Sequence, residues 1–386
     1  MQNRRIEKSD IIIISNSYID IGEFMKRIWI IIMVILLLPF PVKAFSSSAT
    51  STVLMDIDSH RVLYSNNRNQ VRSVASISKI MTAILAVESG KLEEEVEIGE
   101  EILKAYGSAI YIKVGEHMKL KDLVYGLMLR SGNDAALAIA NYVGGSVERF
   151  VLMMNEKAKE IGMSNTTFHN PSGLDETDKG NLSTAYDMAL LTSYAMKNVE
   201  YKEIVKTKKH SVKTDCNYYI WHNKNKMLSI YPYSTGGKTG YTEIAKRTLV
   251  STASKNGLNL VAVTLNDGND WNDHKNLMEE AYETYANYLI LQKGEIIIDG
   301  ETYYLNETLY IKNDVTYPIK ETEKNMISIK YELEKKKDYN NHDSIGKVMI
   351  YFGDELIKEE PVYIQKVKEK KEPFLKKLKK WFDSLW

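Results

Sequence analysis

A chain of 386 residues, 44% hydrophobic and 26% charged, holds enough apolar material for two or three domains whose cores need no covalent staple. Its 51 Lys and Arg balance 51 Asp and Glu, which excludes nucleic-acid recognition through overall charge and leaves ionic recognition to local patches. The single cysteine, Cys216, excludes an intramolecular disulfide. It reads as a small buried hydrophobe, since nothing nearby would lower its pKa.

Lys26 and Arg27 precede an apolar run over 28–38, with Pro39, Pro41 and then Val42-Lys43-Ala44 behind it. A basic end, a short apolar run and small residues describe a secretory signal peptide within an extension over 1–44. The run is short for a bilayer span; an uncleaved anchor is the alternative. Met25 is a candidate translation start.

Residues 50–64 read as two strands with a turn at Asp58-Ser59, because Val53, Met55 and Ile57 alternate with polar or small residues. An apolar helical pattern covers 76–87 and closes at Ser89-Gly90. The pattern stays mostly helical over 120–165, and the polar stretch 165–181 with Asn170-Pro171-Ser172-Gly173 is a loop. Two β-prone runs, 248–254 and 258–265, flank Lys255-Asn256-Gly257 and predict a hairpin. A helix over 272–292 packs on it. Strands at both ends of the block 45–292, with helices between, predict an α+β architecture around an antiparallel sheet.

Short strands at 295–298, 302–305, 309–311, 327–331, 347–352 and 361–364 predict a small all-β domain over 293–365. In the last segment, 366–386, Phe374, Leu375, Leu378, Trp381, Phe382, Leu385 and Trp386 fall on one side of a helix. Lys376, Lys377, Lys379 and Lys380 fall on the other. That pattern describes an amphipathic helix lying on a membrane surface, with each lysine adding about 1 kcal/mol on an anionic leaflet. Packing on the β domain is the alternative.

Three short motifs carry chemistry. In Ser76-Ile77-Ser78-Lys79, Ser76 and Lys79 share one helix face. A serine hydroxyl needs a nearby base, and a lysine can be that base only when neutral. Burial lowers its pKa; a drop of about three units costs roughly 4 kcal/mol. By itself the motif also describes a helix N-cap serine and a surface lysine. Ser78 is adjacent to Lys79 and diverges from it, and Ser73 has no lysine three residues on, so the spacing selects Ser76. Ser131-Gly132-Asn133 is by itself an ordinary turn; in a cleft it offers a second hydroxyl and a side-chain amide. Lys238-Thr239-Gly240 suits a substrate carboxylate, through a charged hydrogen bond of about 1.5–3 kcal/mol. A phosphate loop is excluded there, because Pro232 stands where that motif needs glycine.

Together the three motifs, in this order, match the Ser-x-x-Lys, Ser-x-Asn and Lys-Thr-Gly set of β-lactamases and penicillin-binding proteins. The stretches Ala75-Ser76-Ile77-Ser78-Lys79-Ile80-Met81-Thr82-Ala83, Gly126-Leu127-Met128-Leu129-Arg130-Ser131-Gly132-Asn133-Asp134-Ala135-Ala136 and Gly237-Lys238-Thr239-Gly240-Tyr241-Thr242 resemble the low-molecular-mass D-alanyl-D-alanine carboxypeptidases. Asn170-Pro171-Ser172-Gly173-Leu174, Ser183-Thr184-Ala185-Tyr186-Asp187-Met188 and Asn223-Lys224-Asn225 support the likeness, which spans about 48–292.

The resemblance implies a penicillin-binding/β-lactamase-like transpeptidase fold, followed by the small β domain and the amphipathic anchor. It implies Ser76 as nucleophile, Lys79 as base, Ser131 and Lys238 as proton relay and charge, and Asn133 orienting the peptide. Thr239, beside Gly240, would bind the terminal carboxylate, and the backbone N–H groups of Ser76 and Tyr241 would form the oxyanion hole. Implied partners are the peptidoglycan stem peptide, β-lactams trapping Ser76, and a membrane surface on the outer face of the cytoplasmic membrane. No cofactor, metal or nucleic acid is implied: the seven histidines form no paired metal motif and no Gly-x-Ser-x-Gly elbow occurs. Ser172, Tyr186 and Lys246 depart from the common pattern without removing a catalytic group. A β-lactamase is the nearest rival, lacking here a Glu-x-x-Leu-Asn element after Ser131. A wall-binding scaffold is the non-enzymatic one.

Overall fold

The computed structural model describes residues 25–30, 33, 45–175 and 180–366. The chain divides into two compact units, Met1–Ala44 and Phe45–Trp386. In the first, residues 25–30 and 33 are helical. Most of the expected signal peptide, and the whole of the expected C-terminal amphipathic helix, lie outside the described residues. Among the described residues no helix is long and apolar enough to cross a membrane.

The larger unit is built first around a five-stranded antiparallel sheet: β1 (Ser51–Asp56), β2 (Val62–Asn66), β3 (Ser234–Thr242), β4 (Lys246–Lys255) and β5 (Leu258–Leu265), in the order β2-β1-β5-β4-β3. The chain's two ends of this block therefore pair, as expected. Asn256 and Gly257, at φ 52° and 78°, make the two-residue turn between β4 and β5. β1 is buried at every position. Its period-2 alternation sends Val53 and Met55 into one core and Leu54 into another. β5 divides likewise, with Val261 and Val263 on one face and Leu260 and Ala262 on the other.

The larger core surrounds α1 (Lys79–Glu88), of which every residue but Glu88 is buried. Around it pack α2 (Leu120–Tyr125), α3 (Asn133–Gly144), α4 (Val147–Glu160), α5 (Ala185–Ala195) and α6 (Val199–Lys206), through Leu123, Ile139, Phe150, Met188 and Ile204 among others. The opposite sheet face is covered by α7 (Asp270–Thr284), through Leu277, Met278 and Ala281.

Three local expectations fail, the smallest being the strand expected over 295–298, which stops at Glu295. The last helix ends at Thr284, because Tyr285 turns extended and Ala286–Leu291, an apolar stretch with an aromatic, pairs with Val315–Ile319 instead. No strand forms over 302–305; there Tyr304 folds inward and donates its hydroxyl to the Glu334 carbonyl at 2.5 Å. The remaining strands make a five-stranded antiparallel sheet in the order Gly294–Glu295, Glu307–Ile311, Glu355–Lys366, Ser344–Phe352, Ile327–Leu333. Its core is Ile345, Val348, Ile350, Val362 and Ile364. Arg61, in the β1–β2 turn, joins it to the larger sheet. Its guanidinium pairs with both Glu323 oxygens at 3.0 Å and lies 4.4 Å from the Phe352 ring centroid.

Cys216 corrects a further expectation: it is exposed. It sits in the polar turn of a hairpin, Lys209–Lys213 with Tyr218–His222, whose register leaves that turn outside any core.

Candidate active site

Ser76 lies in a single 3-10 turn, Ala75–Ser78, that leads into α1. Three-residue winding brings positions i and i+3 into line, so Ser76 and Lys79 face each other more directly than on an α-helix. Of the turn's residues only Ser76 reaches the surface. Ala75 holds φ 51°, a left-handed conformation unusual for a residue with a Cβ. The neighbouring serines are spent elsewhere: Ser78 donates to the Ala75 carbonyl at 2.9 Å, and Ser73 to Asp175 at 2.7 Å. Gly173, at φ 79°, passes so close that a Cβ would sit 2.1 Å from the Ala75 oxygen.

Lys79 is completely buried. Its Nζ meets Asn133 Oδ1 at 2.7 Å, the Ser172 carbonyl, and Ser76 Oγ at 3.2 Å. Burial holds the amine well below the usual lysine range; the nearby Lys238 and Lys224 cations add to this, and Asp134 opposes it. A neutral amine has two N–H bonds and one lone pair. With Asn133 and Ser172 accepting two hydrogens, an amine in that form would have its lone pair free toward Ser76 Oγ.

The second motif follows one π-helical turn, Gly126–Arg130, and Ser131 leaves it at φ 64°. Asn133 is fixed on both sides. Its side-chain amide donates to the Tyr106 carbonyl at 2.6 Å and its backbone N–H to the Ser108 carbonyl at 2.7 Å. The buried Asp134 carboxylate accepts from the N–H groups of Ile110 at 3.0 Å and Tyr111 at 2.7 Å. The loop carrying Ser108 is thereby built onto this motif.

The third motif lies on β3, the edge strand of the sheet, whose outer backbone groups face away from the ladder. Lys238 is buried and donates to Ser131 Oγ at 3.1 Å and to the Thr239 carbonyl at 2.7 Å. Burial, then Lys224, lowers its pKa to about 7. A Cβ on Gly240 would stand 3.0 Å from the Ser76 nitrogen and 2.4 Å from Thr248 Oγ1. Glycine there lets the strand lie against the backbone N–H of Ser76.

The structure thus brings Ser76, Lys79, Ser131, Asn133, Lys238, Thr239, Gly240 and Tyr241 together. Five of them line a cleft of about 340 Å3 with Ser108, Lys224, Arg247, Thr248, Asp270 and Trp271. A larger cavity, about 600 Å3, lies behind Asn133 and Ser172 and does not reach Ser76; the smaller space is the one that Ser76 and Ser131 line. The motifs did not select Ser108, Arg247, Asp270 or Trp271. Arg247 Nη2 and Nε donate to Asp270 at 2.6 and 3.1 Å. It stands opposite Tyr241 in the β3–β4 register, a relation no sequence spacing displays. Among the described residues no group of side chains could hold a metal ion.

Fold and cleft define a serine-type enzyme of the penicillin-binding class. A family model for D-alanyl-D-alanine carboxypeptidase matches residues 40–269, and one for the C-terminal domain of penicillin-binding protein 5 matches 285–370. The chain belongs to the D-alanyl-D-alanine carboxypeptidase family. The carboxypeptidase DacF of Bacillus subtilis is 36% identical over 257 residues, covering 62% of this chain and 66% of its own length, just under two thirds. DacD of Escherichia coli is 26% identical over 351 residues, 84% of this chain and 88% of that protein. The crystal structure of penicillin-binding protein 5 from Haemophilus influenzae superposes with a TM-score of 0.68 at 25% identity, over 84% of this chain and 98% of that one.

Proposed function

We propose that this chain removes the terminal D-Ala from peptidoglycan stem pentapeptides through an acyl-enzyme on Ser76. The observation that carries the reading is the Lys79 amine, completely buried and 3.2 Å from Ser76 Oγ, with its other two neighbours both acceptors. Ser76 Oγ attacks the carbonyl carbon of the penultimate D-Ala while its proton passes to Lys79. The N–H groups of Ser76 and Tyr241 hold the developing oxyanion, and Asn133 orients the peptide. The C–N bond then breaks. The leaving nitrogen takes a proton through Ser131, which Lys238 replenishes, and the proton gained by Lys79 balances the one Lys238 gave. Water then attacks the ester carbonyl and gives a proton through Ser131 to Lys238, while Lys79 returns its proton to the departing Ser76 Oγ, so that the shortened peptide leaves as its acid and all three groups are restored. Thr239 binds the terminal carboxylate. A β-lactam presents the same acyl geometry and traps Ser76.

The reading extends to export and attachment. The pattern at 26–44 supports secretion, and the lysine-backed apolar face over 374–386 supports attachment to the outer face of the cytoplasmic membrane. The test of the core claim is mass spectrometry of the protein after benzylpenicillin. An adduct on the peptide containing Ser76, absent in Ser76→Ala, is the expected result. An adduct elsewhere, or rapid turnover of the drug with no adduct, overturns it in favour of another nucleophile or a β-lactamase.

A further inference from the structure

The strained point of the cleft lies one residue before Ser76. Ala75 holds φ 51°, and a residue with a Cβ keeps such a conformation only where its surroundings hold it from several sides. Each peptide unit is planar, so the two planes that meet at Ala75 decide where the Ser76 N–H points. Both are pinned by a hydroxyl. In the Val74–Ala75 plane, the Val74 carbonyl accepts from Thr248 Oγ1 at 3.0 Å. In the Ala75–Ser76 plane, which carries the Ser76 N–H, the Ala75 carbonyl accepts from Ser78 Oγ at 2.9 Å. The Val74 N–H adds a third tie, donating to the Asn181 carbonyl at 3.1 Å.

Of these partners Thr248 belongs to the central sheet. It stands on β4, opposite Gly240 of β3 on one side and Leu265 of β5 on the other. It is buried, and it borders the cleft. Its Oγ1 lies under Gly240, where a Cβ would also come within 3.0 Å of the Ser76 nitrogen and 3.1 Å of the Ile77 nitrogen. A threonine hydroxyl has one hydrogen. Here that hydrogen goes to the Val74 carbonyl, so none remains for a ligand. The N–H groups in the first turn of a helix lack an intrahelical acceptor, and Ser76 is the second residue of the turn Ala75–Ser78. Its N–H is therefore open to the cleft, and a donor of this kind stabilises developing charge only when it is aimed in advance.

Resting on the reading of Ser76 as the acylated residue, we propose that Thr248 is a positioning residue of the reaction: its hydroxyl pins the Val74–Ala75 peptide plane and, through the left-handed Ala75, aims the Ser76 N–H at the oxyanion. The ladder of β3, β4 and β5 is the rigid reference against which the donor is set.

The experiment compares wild type with Thr248→Val, Thr248→Ala and Thr248→Ser. Two rates of change are read: acylation of Ser76 by benzylpenicillin, and the affinity of phenylboronic acid. Boron becomes tetrahedral when Ser76 Oγ adds to it, and one of its oxygens then occupies the oxyanion position. Thr248→Val and Thr248→Ala lower the second-order acylation rate about 10- to 100-fold, up to the low end of losing one oxyanion donor. The boronic acid weakens by a similar factor, as a mimic of the transition state must. Thr248→Ser restores both to within threefold of wild type. The acid limb of the pH–rate profile stays in place in all four proteins, because Lys79 and the charges facing it, Lys238, Lys224 and Asp134, are unchanged. Acylation within twofold of wild type in either variant lacking the hydroxyl overturns the proposal, whatever its melting temperature. So does a loss in Thr248→Ser as large as in Thr248→Val, a slower acylation with unchanged boronic acid affinity, or a displaced acid limb. Wild-type protein that is not acylated at Ser76 overturns the reading of Ser76 and this one with it; wild-type acylation beside unaffected Thr248→Val and Thr248→Ala overturns Thr248 alone.

Discussion

The two folded parts of the larger unit handle polar side chains in opposite ways. The part around Ser76 buries Lys79, Asn133, Asp134, Ser172, Asn181, Asp187, Lys238 and His274, whereas the β-rich part buries one charged side chain among the described residues, Glu360, partnered by Asn313 at 2.8 Å. Buried polar groups cost stability unless they are hydrogen-bonded. Around Ser76, Lys79, Asn133, Asp134, Ser172 and Lys238 are bonded to one another, to neighbouring side chains or to backbone, and burial pushes the Lys79 amine well below the usual lysine range. The β sheet has an ordinary apolar core and no such device. Concentrated buried polarity therefore separates the region that performs chemistry from the region that supports it.

Substitutions can break that comparison. The largest effects fall on the polar network. Ser76→Ala abolishes both the penicillin adduct and D-Ala release. Lys79→Met lowers the acylation rate roughly 10²- to 10⁴-fold, the range of a general base. Its melting temperature falls modestly, because methionine fills the space of the lysine chain but leaves the Asn133 and Ser172 acceptors without a donor. A Lys79→Met protein that melts much earlier, or still acylates quickly, would show that the amine is structural. An intermediate effect, on stability alone, is expected in the β sheet. Ile350→Ala costs about 2–5 kcal/mol of unfolding free energy and leaves kcat/KM on a soluble peptide within twofold; a catalytic loss as large as the stability loss would join the two regions functionally. The smallest catalytic effect is expected from deleting residues 373–386. Activity on a soluble peptide is unchanged while co-sedimentation with anionic vesicles drops, and equal sedimentation would refute the proposed membrane helix.

Much of the candidate site was legible because the residues that meet there fall in three contiguous motifs, each with its own local spacing. Ser76, Lys79, Ser131, Asn133 and Lys238 could be picked out from residue type and order. The strands of the larger sheet were legible too, since Asn256-Gly257 punctuates two β-prone runs. What stayed hidden depends on tertiary pairing. Ser108 reaches the cleft because Asn133 holds the Ser108 carbonyl. Arg247 meets Asp270 only once β4 and α7 are assembled. Residues Ala286–Leu291 carry apolar spacing that suits a helix or a strand, and their partner Val315–Ile319 includes Pro318, which argues against a strand in sequence. Cys216 was misplaced because residue-type averages favour burial, while its hairpin turn projects outward.

The rate of Ser76 acylation by benzylpenicillin, followed from pH 5 to pH 10.5, asks whether the amine beside the nucleophile is uncharged at rest. The account predicts that the rising limb is complete well below the ordinary lysine pKa of about 10.4. A rate that is still climbing through that value would mean that Lys79 titrates as an ordinary solvated lysine, and would contradict it.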